Sequence, residues 1–352
     1  MKARSTALQG TLAGVALVAA YVTWQRPKQD TAKDAVVVVD ASKQSLEKIH
    51  FDDGTRFVEL VRRTEAPAGM WVTQGFLEGK SPAAVDAGMR TVALDGGADA
   101  GAMLVSFTPP PPPPTREMRG SDRADNLYGR FAPLEATRAL GVLPAEKLTE
   151  LGFGADGERS LTVTVSGTAR TFAVAKAISG VIGAYLKDAK SNEVYLLQGS
   201  LLGELDPTSQ SLIDRRLHAF KQADFDRFTL SIEGKKAEFV SSNAEIPQTA
   251  KVARAATPDK PDELVKNWHD KVWNRLVVTE VLGRGEAPRA GEPTVQLRLD
   301  YTSRGSEKGW LEWGQDAKGG TWARTENTAG WVGVHQGSDE LVIEAKKIAA
   351  GP

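Results

Sequence analysis

Leu161-Thr162-Val163-Thr164-Val165-Ser166-Gly167-Thr168-Ala169-Arg170-Thr171-Phe172-Ala173-Val174 is the stretch whose reading decides the fold. Leu161, Val163 and Val165 alternate with Thr162 and Thr164, which is the period of a half-buried strand. Ser166-Gly167-Thr168 is a turn signal, and Phe172 and Val174 mark a returning strand. The spacing therefore predicts a β-hairpin with one face in a core.

The same grammar continues on both sides, over residues 144–240. Upstream, residues 144–151 read as a helix, with Pro144 near its first turn and Gly152 placed to cap it. Downstream, the glycines of 179–185 match neither a phosphate-binding loop, which needs Gly-Lys-Ser/Thr, nor a dinucleotide fingerprint; a tight bend accounts for them. Residues 194–197 predict a short strand. A helix is expected to open at Asp206-Pro207-Thr208 and to carry Asp214, Arg215, Arg216 and His218, with Leu212, Ile213, Leu217 and Phe220 as its apolar stripe. Strands at 227–232 and 237–240 are joined through Glu233-Gly234-Lys235.

Working outward, residues 36–39 predict a strand. Residues 46–51 and 57–61 predict a hairpin turning at Asp52-Asp53-Gly54-Thr55, and Trp71-Val72 a third strand. His50 lies on the opposite parity to Ile49 and Phe51 and is expected to face solvent. Residues 81–95 read as a loosely amphipathic helix and 103–107 as a strand. The six prolines 109–114 must be polyproline II, read as a stiff spacer in preference to a docking ligand. Residues 134–140 fit a short helix or strand. Residues 244–261 read as a linker or long loop, and 262–276 as the clearest helix, with Leu264, Val265, Trp268, Val272 and Leu276 as its stripe. His269 and Asp270 on that helix read as a solvated edge. Strands are expected at 294–301, 309–314, 321–325, 330–334 and 340–345.

These readings define an α+β fold class: an N-terminal transmembrane helix followed by repeated β-hairpin/helix modules. The expected divisions are 1–35, anchor and linker; 36–130, a first module with the Pro-rich loop; 131–245, a central module; and 246–352, a helix and a β-rich module.

Lys2 and Arg4 precede an uncharged run over residues 5–25, long enough to span a membrane, and Arg26 and Lys28 follow it. An uncleaved anchor is the preferred reading, with a cleaved signal peptide at Val18-Ala19-Ala20 as its rival. Either places the bulk of the chain outside the cytoplasm, in the periplasm if the run stays in the inner membrane as a single pass. The 352 residues carry 44 Lys+Arg against 45 Asp+Glu, a net charge of -1, which argues against capture of nucleic acid. No cysteine is present, so disulfides, thiolate chemistry and Cys-held metals are excluded. There are four histidines, far apart in sequence.

A helix ending in Leu151-Gly152-Phe153, the 161–165 strand, its Gly turn and return strand, the 194–197 strand and the run Asp214-Arg215-Arg216-Leu217 come in an order that resembles the DUF4340 family. Residues 49–71 look like that family's opening hairpin, which closes on a Trp. The resemblance extends over about 36–280. It implies a bacterial, membrane-anchored, extracytoplasmic β-rich protein, of a kind encoded beside gliding-type ABC transporters; it implies no catalytic residues.

Asp214, Arg215 and Arg216 are the candidate partner-contact or structural residues, since Arg in such a place commonly fixes a carboxylate through a bidentate pair. Trp310, Trp313, Trp322 and Trp331 are candidates for stacking a ligand, a role that competes with membership of a sheet core. No nucleophile elbow, metalloprotease helix or paired-histidine motif is present. The expected function is a non-catalytic accessory or scaffold protein, anchored through residues 5–25, with ABC-transporter subunits as protein partners and no cofactor or metal. The alternative is a carbohydrate- or cell-wall-binding module that uses the C-terminal Trp residues. A two-carboxylate hydrolase is the third reading.

Overall fold

Wherever apolar and polar residues alternate, the chain has paired its strands edge to edge into two long antiparallel sheets. The computed structural model describes residues 35–65, 67–80, 90–92, 103–105, 115–154, 159–176, 183–197, 199–243, 245, 249–335 and 338–351. The expected anchor over 5–25 and the proline run 109–114 lie outside these residues. Among the described residues no helix is long and apolar enough to cross a membrane.

In chain order the first part contributes β1 (Val36–Val39), β2 (Leu46–Asp52), β3 (Arg56–Arg63), β4 (Gly69–Phe76), β5 (Arg90–Val92), β6 (Met103–Val105) and β7 (Arg116–Arg119). Next come helix α1 (Asp122–Gly129), β8 (Leu134–Ala136), β9 (Arg138–Val142) and helix α2 (Ala145–Glu150). Strands β10 (Arg159–Val165), β11 (Thr168–Val174), β12 (Ala184–Asp188) and β13 (Glu193–Leu197) follow, then the single turn α3 (Leu201–Glu204). The second part holds β14 (Arg227–Ile232), β15 (Lys235–Ser242), β16 (Lys251–Arg254), α4 (Glu263–Asn274), β17 (Val277–Val281), β18 (Thr294–Ser303), β19 (Ser306–Gln315), β20 (Thr321–Thr325), β21 (Val332–His335) and α5 (Ser338–Ala350).

The first sheet has nine strands in the order β7-β4-β3-β2-β10-β11-β12-β13-β9, and the second has eight in the order β16-β15-β14-β18-β19-β20-β21-β17. The predicted hairpins are present: β10 pairs with β11 from Arg159↔Val174 to Val165↔Thr168, and β2 with β3 across the Asp-Gly turn. Ser166-Gly167, Glu233-Gly234 and Arg304-Gly305 turn with positive φ at both positions, the geometry that matches the twist of the strands they join.

One core lies between the first sheet and α1, where Ile49, Leu60, Tyr128, Phe131, Leu161, Val163 and Phe172 are fully buried. Ser121 caps α1 by accepting the Ala124 N–H. The other core lies between the second sheet and helices α4 and α5, around Phe228, Phe239, Trp268, Tyr301, Leu311 and Trp313. Each large side chain so buried stabilises by about 1.5–3 kcal/mol. Trp268 Nε1 donates to the Leu341 carbonyl at 2.9 Å, which ties α4 to α5.

Several expectations are corrected. No helix carries 206–218; a 3-10 turn at Gln210–Leu212 is followed by extended chain. Residues 340–345 are not a strand. Leu341, Val342, Ala345 and Ile348 are buried at helical spacing in α5 while Ile343 is exposed, so the 3.6-residue period prevails over the β-branched run. The 244–261 linker contains β16, which pairs with β15. Within the 81–95 segment, Arg90–Val92 is a strand paired with Met103–Val105. Leu264 on α4 is exposed, outside the buried stripe of Val265, Trp268 and Val272. The hairpins do not form separate modules: β10 pairs with β2 across the expected 130/131 boundary, and β14 pairs with β18 across 245/246. A hairpin has two open edges, and here one edge is met by the next strand in the chain and the other by a strand distant in sequence. The molecule is accordingly mostly β-sheet with few helices.

Candidate functional site

The extended chain after Leu212 runs along the end of the first sheet and crosses to the second. Ile213 bridges Gly120, and the Asp214 N–H donates to the Arg119 carbonyl at 2.8 Å. The Asp214 carboxylate then turns inward, its side chain only 6% exposed. It accepts the Arg216 N–H at 2.9 Å, Arg216 Nε at 3.0 Å, Arg216 Nη2 at 2.9 Å and Asn327 Nδ2 at 3.2 Å. Asn327, buried on the second sheet's side, also donates to the Arg216 carbonyl at 2.8 Å. Arg216 reaches back to Asp122 at the start of α1, at 3.0 Å. Its hydrogen bonds and charge interaction with Asp214, then with Asp122, push its pKa above the ordinary arginine value. Asp214 and Arg216 thus stitch α1 and β7 to the turn after β20. Arg215, their neighbour, takes no part; its guanidinium donates to Gln210 Oε1 at 3.3 Å and opens onto a cleft.

That cleft lies where the terminal strands of the two sheets meet, β7 of the first and β17 of the second. Arg116 on β7 donates to Glu286 at 2.9 Å and to Glu280 at 3.2 Å. The Arg284 N–H donates to the Glu117 carbonyl at 2.8 Å, and its side chain pairs with the Glu117 carboxylate at 3.4 Å. Below them Trp71, buried on β4, carries the guanidinium groups of Arg284, Arg63 and Arg119 at 4.2, 4.6 and 5.2 Å from its ring centre. Gly283 permits this approach, since a Cβ there would lie 3.0 Å from the Glu117 nitrogen. The cleft measures about 430 Å³, and Arg56, Arg116 and Arg215 all line it. Of these, the sequence reading singled out Arg215 alone. Arg56 and Arg116 come from separate strands and carry no local signal.

The four candidate Trp residues do not act as a set. Trp313, Trp322 and Trp331 are buried and cannot stack a ligand. Trp322 Nε1 donates to Asp316 at 2.9 Å and Trp331 Nε1 to Glu292 at 2.6 Å. Trp310 alone is half-exposed, with the Arg298 guanidinium 5.0 Å from its ring centre, in a trough of about 560 Å³ shared with Glu312, Arg324 and Glu326. Parity separates them: along β19, Trp313 falls on the buried side with Leu311, and Trp310 falls with Glu312 on the outer side.

The histidines are spread through the fold. His50 is half-buried and pairs with Glu59 at 3.4 Å; that hydrogen bond is the leading cause of a lowered Glu59 pKa, which burial opposes. His218 stacks on Trp273 at 4.5 Å and meets Glu326 at 3.2 Å, and Glu326 also accepts the backbone N–H groups of Ala219 and Trp310. His269 is not a solvated edge. It is 1% exposed, stacked on Phe228 at 4.5 Å, and burial pushes its pKa down to about 4. Among the described residues no group of three or more His, Asp or Glu side chains is placed to hold a metal.

Two antiparallel sheets joined at their edges by an arginine-rich seam define a β-sheet-dominated protein with a few covering helices. Residues 124–288 match the family model of DUF4340, a domain of unknown function. The matched stretch begins in α1, passes through Asp214–Arg216 and ends just beyond Glu286, so it contains the β17 side of the seam, while β7, Asp122, Asn327 and the opening hairpin at 49–71 lie outside it. No curated protein and no solved structure matches the chain.

Proposed function

We propose that this protein is a membrane-anchored, extracytoplasmic accessory or scaffold protein of an ABC-transporter or envelope complex, and that it performs no catalysis itself. The observation that carries this reading is the Asp214–Arg216–Asn327 stitch, which joins the two sheets by holding Asp214 and Arg216 of the matched stretch to Asn327 beyond it. It uses two of the charges singled out in the sequence, Asp214 and Arg216, to hold the sheets together. The uncharged run over 5–25 behind Lys2 and Arg4 supplies the anchor and the outward orientation. Affinity purification of the full chain from crosslinked membranes tests it. Recovery of one defined membrane partner in near-constant ratio is expected, and recovery of the chain alone would sink the reading. Mass spectrometry of the mature N-terminus separates the anchor from a cleaved signal; a start at Tyr21 would refute the anchor.

A second reading, binding of cell-wall carbohydrate, rests on Trp310, whose ring keeps an exposed part beside Glu312 and Arg324. Sedimentation of the protein with purified cell-wall polysaccharide, abolished by Trp310→Ala, would favour it over the scaffold reading.

A further inference from the structure

The cleft between β7 and β17 carries more positive charge than its own surroundings use. Arg116 is satisfied, with Glu280 and Glu286 at hydrogen-bond distance. Arg56 has an aromatic neighbour, the ring of Phe76 at 4.8 Å, and Arg215 a neutral one, the amide of Gln210. Among the described residues neither has a carboxylate within ion-pair distance, although the protein as a whole holds as many acids as bases. Among the described residues Glu280 is the one acid on the cleft wall, and Arg116 already holds it.

The rest of the wall narrows the class of ligand. Met118, Ile213 and Val281 are buried apolar residues at its floor. Thr208 and Gln210 offer neutral hydrogen-bonding groups. One wall is β17, the last strand of its sheet, which pairs with β21 on one side and, among the described residues, has no strand on the other. An outer strand edge offers main-chain N–H and C=O groups in the spacing of an extended peptide. Guanidinium groups match planar carboxylates through paired N–H donors. A site for a small anion would gather its donors on one point; here the arginines come from β3, β7 and the 213–216 crossing, and the cleft opens to solvent.

We infer that this cleft receives an extended acidic segment of a partner protein, with carboxylates on Arg56 and Arg215 and its main chain along the outer edge of β17. This rests on the scaffold reading and names the chemistry by which a scaffold would hold its partner. Arg116 and its two glutamates keep the wall in place and are not the receptors.

The test uses the full chain in detergent and a fluorescein-labelled peptide of about ten residues in which Glu alternates with Ser and Val. Fluorescence anisotropy is expected to show saturable binding that weakens as salt is raised. The Arg56→Gln/Arg215→Gln double variant is expected to weaken it about tenfold or more, through loss of two charge-assisted contacts. The same peptide with Gln in place of Glu is expected not to bind. Arg56→Lys/Arg215→Lys, which keeps the charge and loses the fork, should fall between. Circular dichroism confirms that the variants are folded. Unchanged affinity in the double variant, no binding, or displacement of the peptide by millimolar inorganic phosphate at the potency of the peptide itself would overturn the proposal, the last because it marks a site for free anions. Crosslinked purification of the same double variant separates the two readings. A partner recovered from wild type and variant alike overturns the cleft as its receptor and leaves the scaffold standing; no partner from either removes the scaffold reading first.

Discussion

The guanidinium of Arg284 lies 4.2 Å from the centre of the Trp71 indole, which joins the turn after the last strand of the second sheet to a strand of the first. Arg284 follows β17 of the second sheet, while Trp71 is on β4 of the first, one strand in from its edge. With the Arg284–Glu117 pair this contact forms one half of the seam. Arg284→Ala is expected to lower stability by about 1–2 kcal/mol, since the cation–π contact and a half-exposed ion pair are both modest. Trp71→Ala is expected to cost about 3–5 kcal/mol, because it empties a buried site and removes the platform for three arginines. Urea unfolding followed by circular dichroism measures both.

The other half of the seam is asymmetric. Asp214 is 6% exposed and Arg216 is 56% exposed. Removing the buried acceptor leaves one of the two Asn327 Nδ2 hydrogens unpaired, the other staying on the Arg216 carbonyl, and frees the Arg216 fork, so Asp214→Ala is expected to cost about 2–3 kcal/mol. Arg216→Ala leaves Asp214 with Asn327 and a backbone N–H, and solvent replaces the guanidinium; about 1 kcal/mol is expected. Equal losses in the two variants, read as unfolding midpoints at a common slope, would show that the stitch does not work as described.

Stability should fall as the medium is acidified through the titration of His269. Its folded pKa, about 4, lies below its ordinary value of 6.5 because burial disfavours the charged ring; the nearby Asp270 charge opposes this and His218 adds to it. Between those values the unfolded chain binds the extra proton, so stability rises with pH across the window. The contribution is complete above about pH 6.5 and lost as pH falls towards 4, about 3 kcal/mol in all. His269→Phe, which keeps a ring among Phe228, Phe225 and Trp273, should flatten the pH dependence of the urea midpoint between pH 6.5 and 4.5. An unchanged slope would show that other groups carry it.

Gly330 should not tolerate a side chain. A Cβ at this position would lie 2.5 Å from the Gly283 carbonyl oxygen, and that backbone is held by the Leu282 N–H bond to the Trp331 carbonyl. Gly330→Ala is expected to destabilise by about 1–3 kcal/mol, as overpacking of a rigid site does. Gly167→Ala meets no neighbouring atom, and its cost is the positive φ of 76° alone, about 1 kcal/mol. Thermal denaturation of the two variants side by side checks the ranking.

The strands around Leu161, Phe51 and Leu230 were legible in the sequence because alternation is a local signal, repeated every second residue and ended by an Asp-Gly, Ser-Gly or Glu-Gly turn. Helix α4 was legible through its 3.6-residue period. The failures have local causes too. The α5 run Leu341-Val342-Ile343 looks like a strand until Ala345 and Ile348 are counted with it. The 206–218 segment has a helical apolar pattern, but Asp214 hydrogen-bonds the Arg216 N–H and the backbone of β7, which draws the chain out of a helix.

Of the candidate site, the sequence alone picked out Asp214, Arg215 and Arg216 as a charged group among apolar residues, and the Trp set as large rings on strands. The buried face of β19 separates Trp313 from Trp310. What only the tertiary structure decided is which strand lies beside which. Hairpin edges are interchangeable donors and acceptors, so a sequence specifies each hairpin without specifying its neighbour. The pairing of β10 with β2, the approach of β7 to β17, and the gathering of Arg56, Arg116 and Arg215 around one cleft follow from contacts between residues distant in sequence. Trp71 under Arg284 is of the same kind: each residue is ordinary where it stands in the chain, and the contact between them exists once two sheet edges have met.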